Sequence, residues 1–119
     1  MNYRIGILVP TTSNKRDYSS YTDSDLYSKF IKSFLLTYEK QYNYKLFIGI
    51  DDTDKFYQDK GLQDKFNRFI SVMENVEIEF YSFDISFKGN VCAIWTKLYE
   101  YALNDNYDYF LNIGDDVVL

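Results

Sequence analysis

Tyr109-Phe110-Leu111-Asn112-Ile113-Gly114-Asp115-Asp116 is the stretch on which the fold of this chain turns. An apolar, aromatic run of strand length meets a glycine and two adjacent carboxylates, and Val117-Val118-Leu119 turns apolar again. Neighbouring carboxylates repel, so a buried strand ending in them calls for something to offset the charge, usually a divalent cation. A plain turn between two strands, with Gly-Asp as punctuation, explains the same letters. The choice depends on where the other polar segments fall.

Upstream, Val91, Ile94, Trp95, Leu98 and Ala102 recur at helical spacing, and Asn104-Asp105-Asn106 ends that pattern. Ser82 to Asn90 is a loop holding Lys88-Gly89-Asn90. Before it, Val76, Ile78 and Phe80 alternate with Glu77, Glu79 and Tyr81, the period of a strand with one solvated face, near a sheet edge. Another helical pattern carries Leu62, Phe66, Phe69, Ile70 and Met73. It follows Lys45 to Ile50, an apolar run that ends in Asp51-Asp52-Thr53-Asp54. Leu26, Phe30, Ile31, Phe34, Leu35 and Tyr38 predict a helix to about Tyr42, behind the cap-like Thr22-Asp23-Ser24-Asp25 and broken by Asn43-Tyr44. Ile5 to Val9, closed by Pro10, reads as a strand buried on both faces, and Pro10-Thr11-Thr12-Ser13-Asn14 opens a polar loop.

The order is βαβαβαβ, without repeat, linker or low-complexity run. It predicts a Rossmann-like α/β domain with a mostly parallel sheet covered by helices. In such sheets ligands bind beyond the carboxyl ends of the strands, at the switch point. Right-handed crossovers then bring Pro10-Thr11-Thr12, Asp51 to Asp54, the loop after Phe80 and Gly114-Asp115-Asp116 to one rim.

Composition narrows the chemistry. The 119 residues suit one modest domain, with 46% hydrophobic and 26% charged residues to form a core and a solvated surface. Net charge is −5 and no basic stripe is visible, which argues against nucleic acid as the main partner. There is no histidine, so histidine catalysis and histidine metal sites are excluded. The lone Cys92 forms no internal disulfide and reads as a core position on its helix. No window reaches the length of a membrane span and the N-terminus lacks a signal-peptide core, so a cytoplasmic protein is expected. Trp95 reads as core. Arg16 reads as a solvated loop charge that reaches a diphosphate if its loop folds over the rim.

The rim carries no G-x-G-x-x-G after the first strand and no G-x-x-x-x-G-K-[ST] anywhere. A nucleotide here would need a metal, rather than a glycine loop, to neutralise its phosphates. Asp115 and Asp116 are hard oxygen ligands suited to Mg²⁺ or Mn²⁺. Asp51 and Asp52 stand where α/β domains often accept hydrogen bonds from a ribose or base, or they are simply a solvated loop that favours the next helix dipole. For Asp54 the solvated-loop reading is preferred.

The Val9-Pro10-Thr11 strand end, Ile50-Asp51-Asp52-Thr53-Asp54 and Tyr109 to Leu119 together resemble the nucleotide-binding half of GT-A fold glycosyltransferases of the family-2-like type. The resemblance covers essentially the whole chain. It implies that residues 1–119 form a single nucleotide-sugar-binding domain, the donor-binding half of a larger glycosyltransferase, inactive by itself. It further implies that Pro10, Thr11 and Thr12 line the base and ribose pocket, and that Asp51 or Asp52 contacts uracil or ribose. Lys88, Gly89 and Asn90 match the loop and helix start beside the nucleotide and sugar. Asp115 and Asp116 match the acidic metal motif, which in the family is Asp-x-Asp, with Asp116 as metal ligand and Asp115 as ribose or sugar contact, or the reverse. The implied activity is sugar transfer from a nucleoside-diphosphate donor, UDP-linked by preference, to an acceptor hydroxyl with Mn²⁺ or Mg²⁺. A non-catalytic nucleotide-binding or regulatory module is the alternative. A receiver-like domain lacks its acidic residues after the first strand, and a polymerase palm is disfavoured by length and charge.

Overall fold

The computed structural model describes residues 3–13, 16–83, 91–104 and 106–119, with the backbone alone for 91–94. Strands β1 (Arg4–Pro10), β2 (Asn43–Asp51), β3 (Val76–Phe83) and β4 (Tyr109–Asn112) form one sheet in the order β3-β2-β1-β4. All three pairings are parallel. Helices α1 (Lys32–Thr37), α2 (Lys55–Gln58), α3 (Lys60–Ile70) and α4 (Val91–Leu103) fill the crossovers. The chain is therefore α/β with a parallel sheet flanked by helices, in keeping with a Rossmann-like fold.

Side-chain alternation explains the layering. Ile7 and Val9 of β1 and Leu46, Ile48 and Ile50 of β2 pack into the larger core with Phe30, Phe34, Leu62, Phe66 and Ile70. Leu8 and Phe47 face the other way and meet Leu98 and Ala102 of α4, together with Phe83. The central strands are thus buried on both faces, as their continuous apolar runs predict. Each large side chain removed fully from water contributes about 1.5–3 kcal/mol. β3 lies at a sheet edge with Val76 and Ile78 buried and Glu77 and Glu79 exposed, as its alternation predicts.

Three expectations are corrected. The first helix begins as a π-helical stretch, Leu26–Ile31, and α1 ends at Thr37 rather than near Tyr42. Tyr38 is extended, with ψ 152°, yet its ring still stacks on Phe34 at 5.7 Å between centroids. Its helical spacing reflects that aromatic contact, not helical backbone. Secondly, Asn43 and Tyr44 do not merely break the helix. They begin β2, and Asn43 N–H donates to the carbonyl of Tyr3 across 2.9 Å. Thirdly, β4 is not a buried strand. It is the other sheet edge, with Tyr109 57% and Leu111 48% exposed.

Among the described residues no helix is long and apolar enough to cross a membrane.

Candidate functional site

The sheet order reverses between β1 and β4. Strands β1, β2 and β3 step in one direction, and the chain then crosses back to lay β4 on the far side of β1. The crevice beyond the carboxyl ends of β1 and β4 is the switch point where parallel α/β sheets receive ligands. Its two sides are the segments after Pro10 and after Asn112. Thr11 N–H extends the sheet by donating to the Gly49 carbonyl at 2.9 Å, and Ile113 N–H donates to the Leu8 carbonyl at 3.1 Å. The Trp95 indole N–H donates to that same Leu8 carbonyl at 3.2 Å, which seats α4 over the end of β1. Trp95 is half-buried against the smaller core, close to its expected core position.

Gly114 to Val117 is a turn, closed by Val117 N–H donating to the Gly114 carbonyl at 3.3 Å. The backbone is thus a turn after β4, but no strand follows it in residues 117–119, so the reading as a turn between two strands is met only in part. Its two central carboxylates part company: Asp115 is buried and Asp116 is exposed. A Cβ on residue 114 would stand 3.1 Å from Oδ1 of Asp116, so glycine gives that carboxylate the room it occupies.

Burial of Asp115 is compensated. Its Oδ2 accepts from the Thr11 hydroxyl at 2.7 Å and from Nη1 of Arg16 at 2.6 Å, and its Oδ1 receives Nη2 of Arg16 at 3.4 Å. Nη1 of Arg16 also donates to the Thr12 carbonyl at 3.0 Å, and Nη2 lies 3.7 Å from Asp25. Arg16 is thus no freely solvated loop charge. It is pinned to the rim by a charge-assisted pair with a carboxylate remote in sequence. That hydrogen bond, ahead of the opposing effect of burial, holds the guanidinium proton even more firmly than usual.

Behind Thr11 lies a buried hydroxyl pair, Ser24 and Tyr57, with oxygens 2.5 Å apart. Burial pushes the Tyr57 phenol above its ordinary value, while hydrogen bonds from Ser24 and Thr11 act in the opposite direction. Asp54 anchors the other flank. It accepts from Ser13 N–H at 2.7 Å, from the Ser13 hydroxyl at 2.6 Å and from Tyr57 N–H at 3.2 Å. It is buried, so its role is to tie the loop after β1 to the start of α2 rather than to idle in solvent.

Asp51 closes β2. Its Oδ1 accepts from Thr53 N–H and from the Thr53 hydroxyl, both at 2.9 Å. Asp52 is exposed, and its N–H donates to the Phe83 carbonyl at 2.9 Å. Pro10 and Thr11 are buried and Thr12 half-buried. The predicted rim residues Pro10, Thr11, Thr12, Asp51, Asp52, Asp115 and Asp116 therefore all follow or close parallel strands on one sheet edge. Lys88, Gly89 and Asn90 lie outside the described residues, as do the side chain of Cys92 and its expected core position. Sequence reading took Ser24 only as part of a helix cap and passed over Tyr57, because their meeting depends on the packing of α2 against the segment before the π-helix.

Among the described residues no group of histidine, cysteine, aspartate or glutamate forms a ready cage for a metal ion. Asp115 is committed to Arg16 and Thr11, which leaves Asp116 as the exposed carboxylate of the pair. That donor set fits an ion held by one or two carboxylates and by phosphate oxygens the ligand brings, the habit of Mg²⁺. It does not fit a resident structural ion. No protein family, curated protein or solved structure matches the chain.

Proposed function

We propose that this domain binds a nucleoside-diphosphate sugar, UDP-linked by preference, and serves as the donor-binding part of a GT-A-like glycosyltransferase. The observation that carries the reading is the Thr11–Asp115 hydrogen bond, which joins the polar ends of β1 and β4 across the switch point. Beside it, Asp116 is exposed at the same edge, and Asp51 and Asp52 follow the next strand.

In this reading Thr12 with Asp51 or Asp52 takes the ribose and base, accepting hydrogen bonds from hydroxyl and ring N–H groups. Asp116 would hold Mn²⁺ or Mg²⁺, and Asp115 keeps the rim organised through Thr11 and Arg16. A divalent ion bound there supplies charge neutralisation for a departing diphosphate. The carboxylates of Asp51, Asp52 and Asp116 outnumber Arg16 on this rim, so a diphosphate gains from such an offset.

Base identity is the first test. Calorimetric titration with UDP, GDP, ADP and CDP in Mn²⁺ buffer is expected to show a preference of about 10-fold or more for UDP, the worth of one or two discriminating hydrogen bonds. Equal affinity for all four would remove the assigned roles of Asp51 and Asp52. Heat from none of them would remove the nucleotide reading altogether.

A further inference from the structure

We infer that Arg16 is the phosphate-binding residue of this rim, and that Asp115 acts on a ligand only through it, by holding the guanidinium in place. This rests on the nucleotide reading for the identity of the ligand, but the anion site itself follows from the ion pair.

A buried carboxylate facing a ligand crevice has two plain uses: to touch the ligand, or to orient a group that does. Here the oxygens of Asp115 are already engaged, by Thr11 and by Arg16. The side chain of Asp115 is 9% exposed and that of Arg16 is 28% exposed. The inner member of the pair is therefore the anion, and the member reaching the surface is the cation. Nη1 is bonded to both Asp115 and the Thr12 carbonyl, and Nη2 reaches Asp115 at 3.4 Å, so the plane of the guanidinium is fixed. A guanidinium held in this way is pre-organised, and Nη2, whose contacts at 3.4 Å and 3.7 Å are long, can turn to a phosphate oxygen with little further loss of side-chain freedom.

An anion entering this edge needs a cation to meet it. Asp25, Asp51, Asp52 and Asp116 make this edge acidic, and Arg16 stands among them at the switch point. Asp115 takes the short contact with Arg16, at 2.6 Å, and Asp25 the long one, at 3.7 Å, so the contact that an entering phosphate has to displace is the weaker of the two. A diphosphate entering the crevice would then meet Arg16 on the β1 side and the exposed Asp116, with any ion it carries, on the β4 side.

The test is titration of the whole chain and its variants with UDP, uridine and inorganic pyrophosphate in one Mg²⁺ buffer. Arg16→Ala should weaken UDP about 10- to 100-fold and uridine by a much smaller factor, with the circular dichroism spectrum reporting an intact fold. Arg16→Lys, which keeps the charge but not the fork, should fall between. Asp115→Asn should weaken UDP less than Arg16→Ala does, and adding it to Arg16→Ala should cost nothing more. UDP binding to Arg16→Ala at wild-type strength would overturn the inference and leave the nucleotide reading standing. A further tenfold loss in the double variant would show that Asp115 touches the ligand itself, and would overturn its positioning role. If the wild-type chain binds neither UDP nor uridine, the nucleotide reading falls and pyrophosphate decides: binding lost in Arg16→Ala supports Arg16, and binding absent or insensitive to Arg16 overturns it.

Discussion

The Thr11 hydroxyl donates to Oδ2 of Asp115 at 2.7 Å, although the two residues are 104 positions apart. One residue follows the central strand β1 and the other follows the edge strand β4. The bond therefore clasps the reversal point of the sheet, and it is buried. Replacing Thr11 with valine keeps the volume and removes the donor. The expected cost is about 1 kcal/mol, because Arg16 continues to neutralise Asp115. Urea unfolding of Thr11→Val, Asp115→Asn and the double variant should show coupling between the sites, and strict additivity would mean that the clasp contributes no interaction of its own.

Asp54 carries the opposite flank of the loop after β1. Its carboxylate holds both the backbone and the side chain of Ser13 and caps α2 through Tyr57 N–H. Asp54→Ala should lose about 1–3 kcal/mol, since a cap and buried hydrogen bonds go together. The loop should also become the first site cut in limited proteolysis. A variant with unchanged unfolding midpoint and cleavage pattern would return Asp54 to a merely solvated role.

Tyr57 gives the chain a specific response to alkali. Its phenol ionises above the ordinary value of 10.0 in the fold, chiefly because it is buried. Below pH 10 its contribution is complete, because the side chain is neutral in both states. As pH rises beyond that, the unfolded chain loses the proton while the folded chain keeps it, so stability declines toward the folded value. The difference between wild type and Tyr57→Phe, followed by chemical denaturation from pH 8 upward, should shrink above about pH 10. A constant difference across that range would mean that Tyr57 titrates alike in both states.

The sequence carried the sheet and its rim because both depend on short-range patterns. The runs Ile5 to Val9 and Lys45 to Ile50 are apolar on both faces because both faces are covered, and the alternation at Val76, Ile78 and Phe80 marks an edge. Parallel pairing then fixes which ends share an edge, and Thr11, Asp51 and Asp115 follow from topology alone. What stayed hidden depends on meetings between distant residues. Arg16 is 99 positions from Asp115, and nothing near either residue announces the other. The end of α1 was obscured because Tyr38 contacts Phe34 from an extended backbone, imitating helical spacing. The exposure of β4 was obscured because Tyr109 and Leu111 are apolar letters on a strand whose outer side is open. Lys88, Gly89 and Asn90, expected near the nucleotide, fall outside the described residues.

The central claim is that a nucleoside diphosphate and a divalent ion meet on this rim, with Asp116 as the exposed carboxylate. Calorimetric titration of the chain with UDP, first in Mn²⁺ and then with excess chelator, tests it most directly, with Asp116→Asn run in parallel. The account predicts saturable heat in Mn²⁺ that weakens at least about 10-fold in chelator, and an Asp116→Asn variant that is insensitive to the ion. Equal binding in both conditions, or an Asp116→Asn variant with undiminished metal dependence, would contradict it.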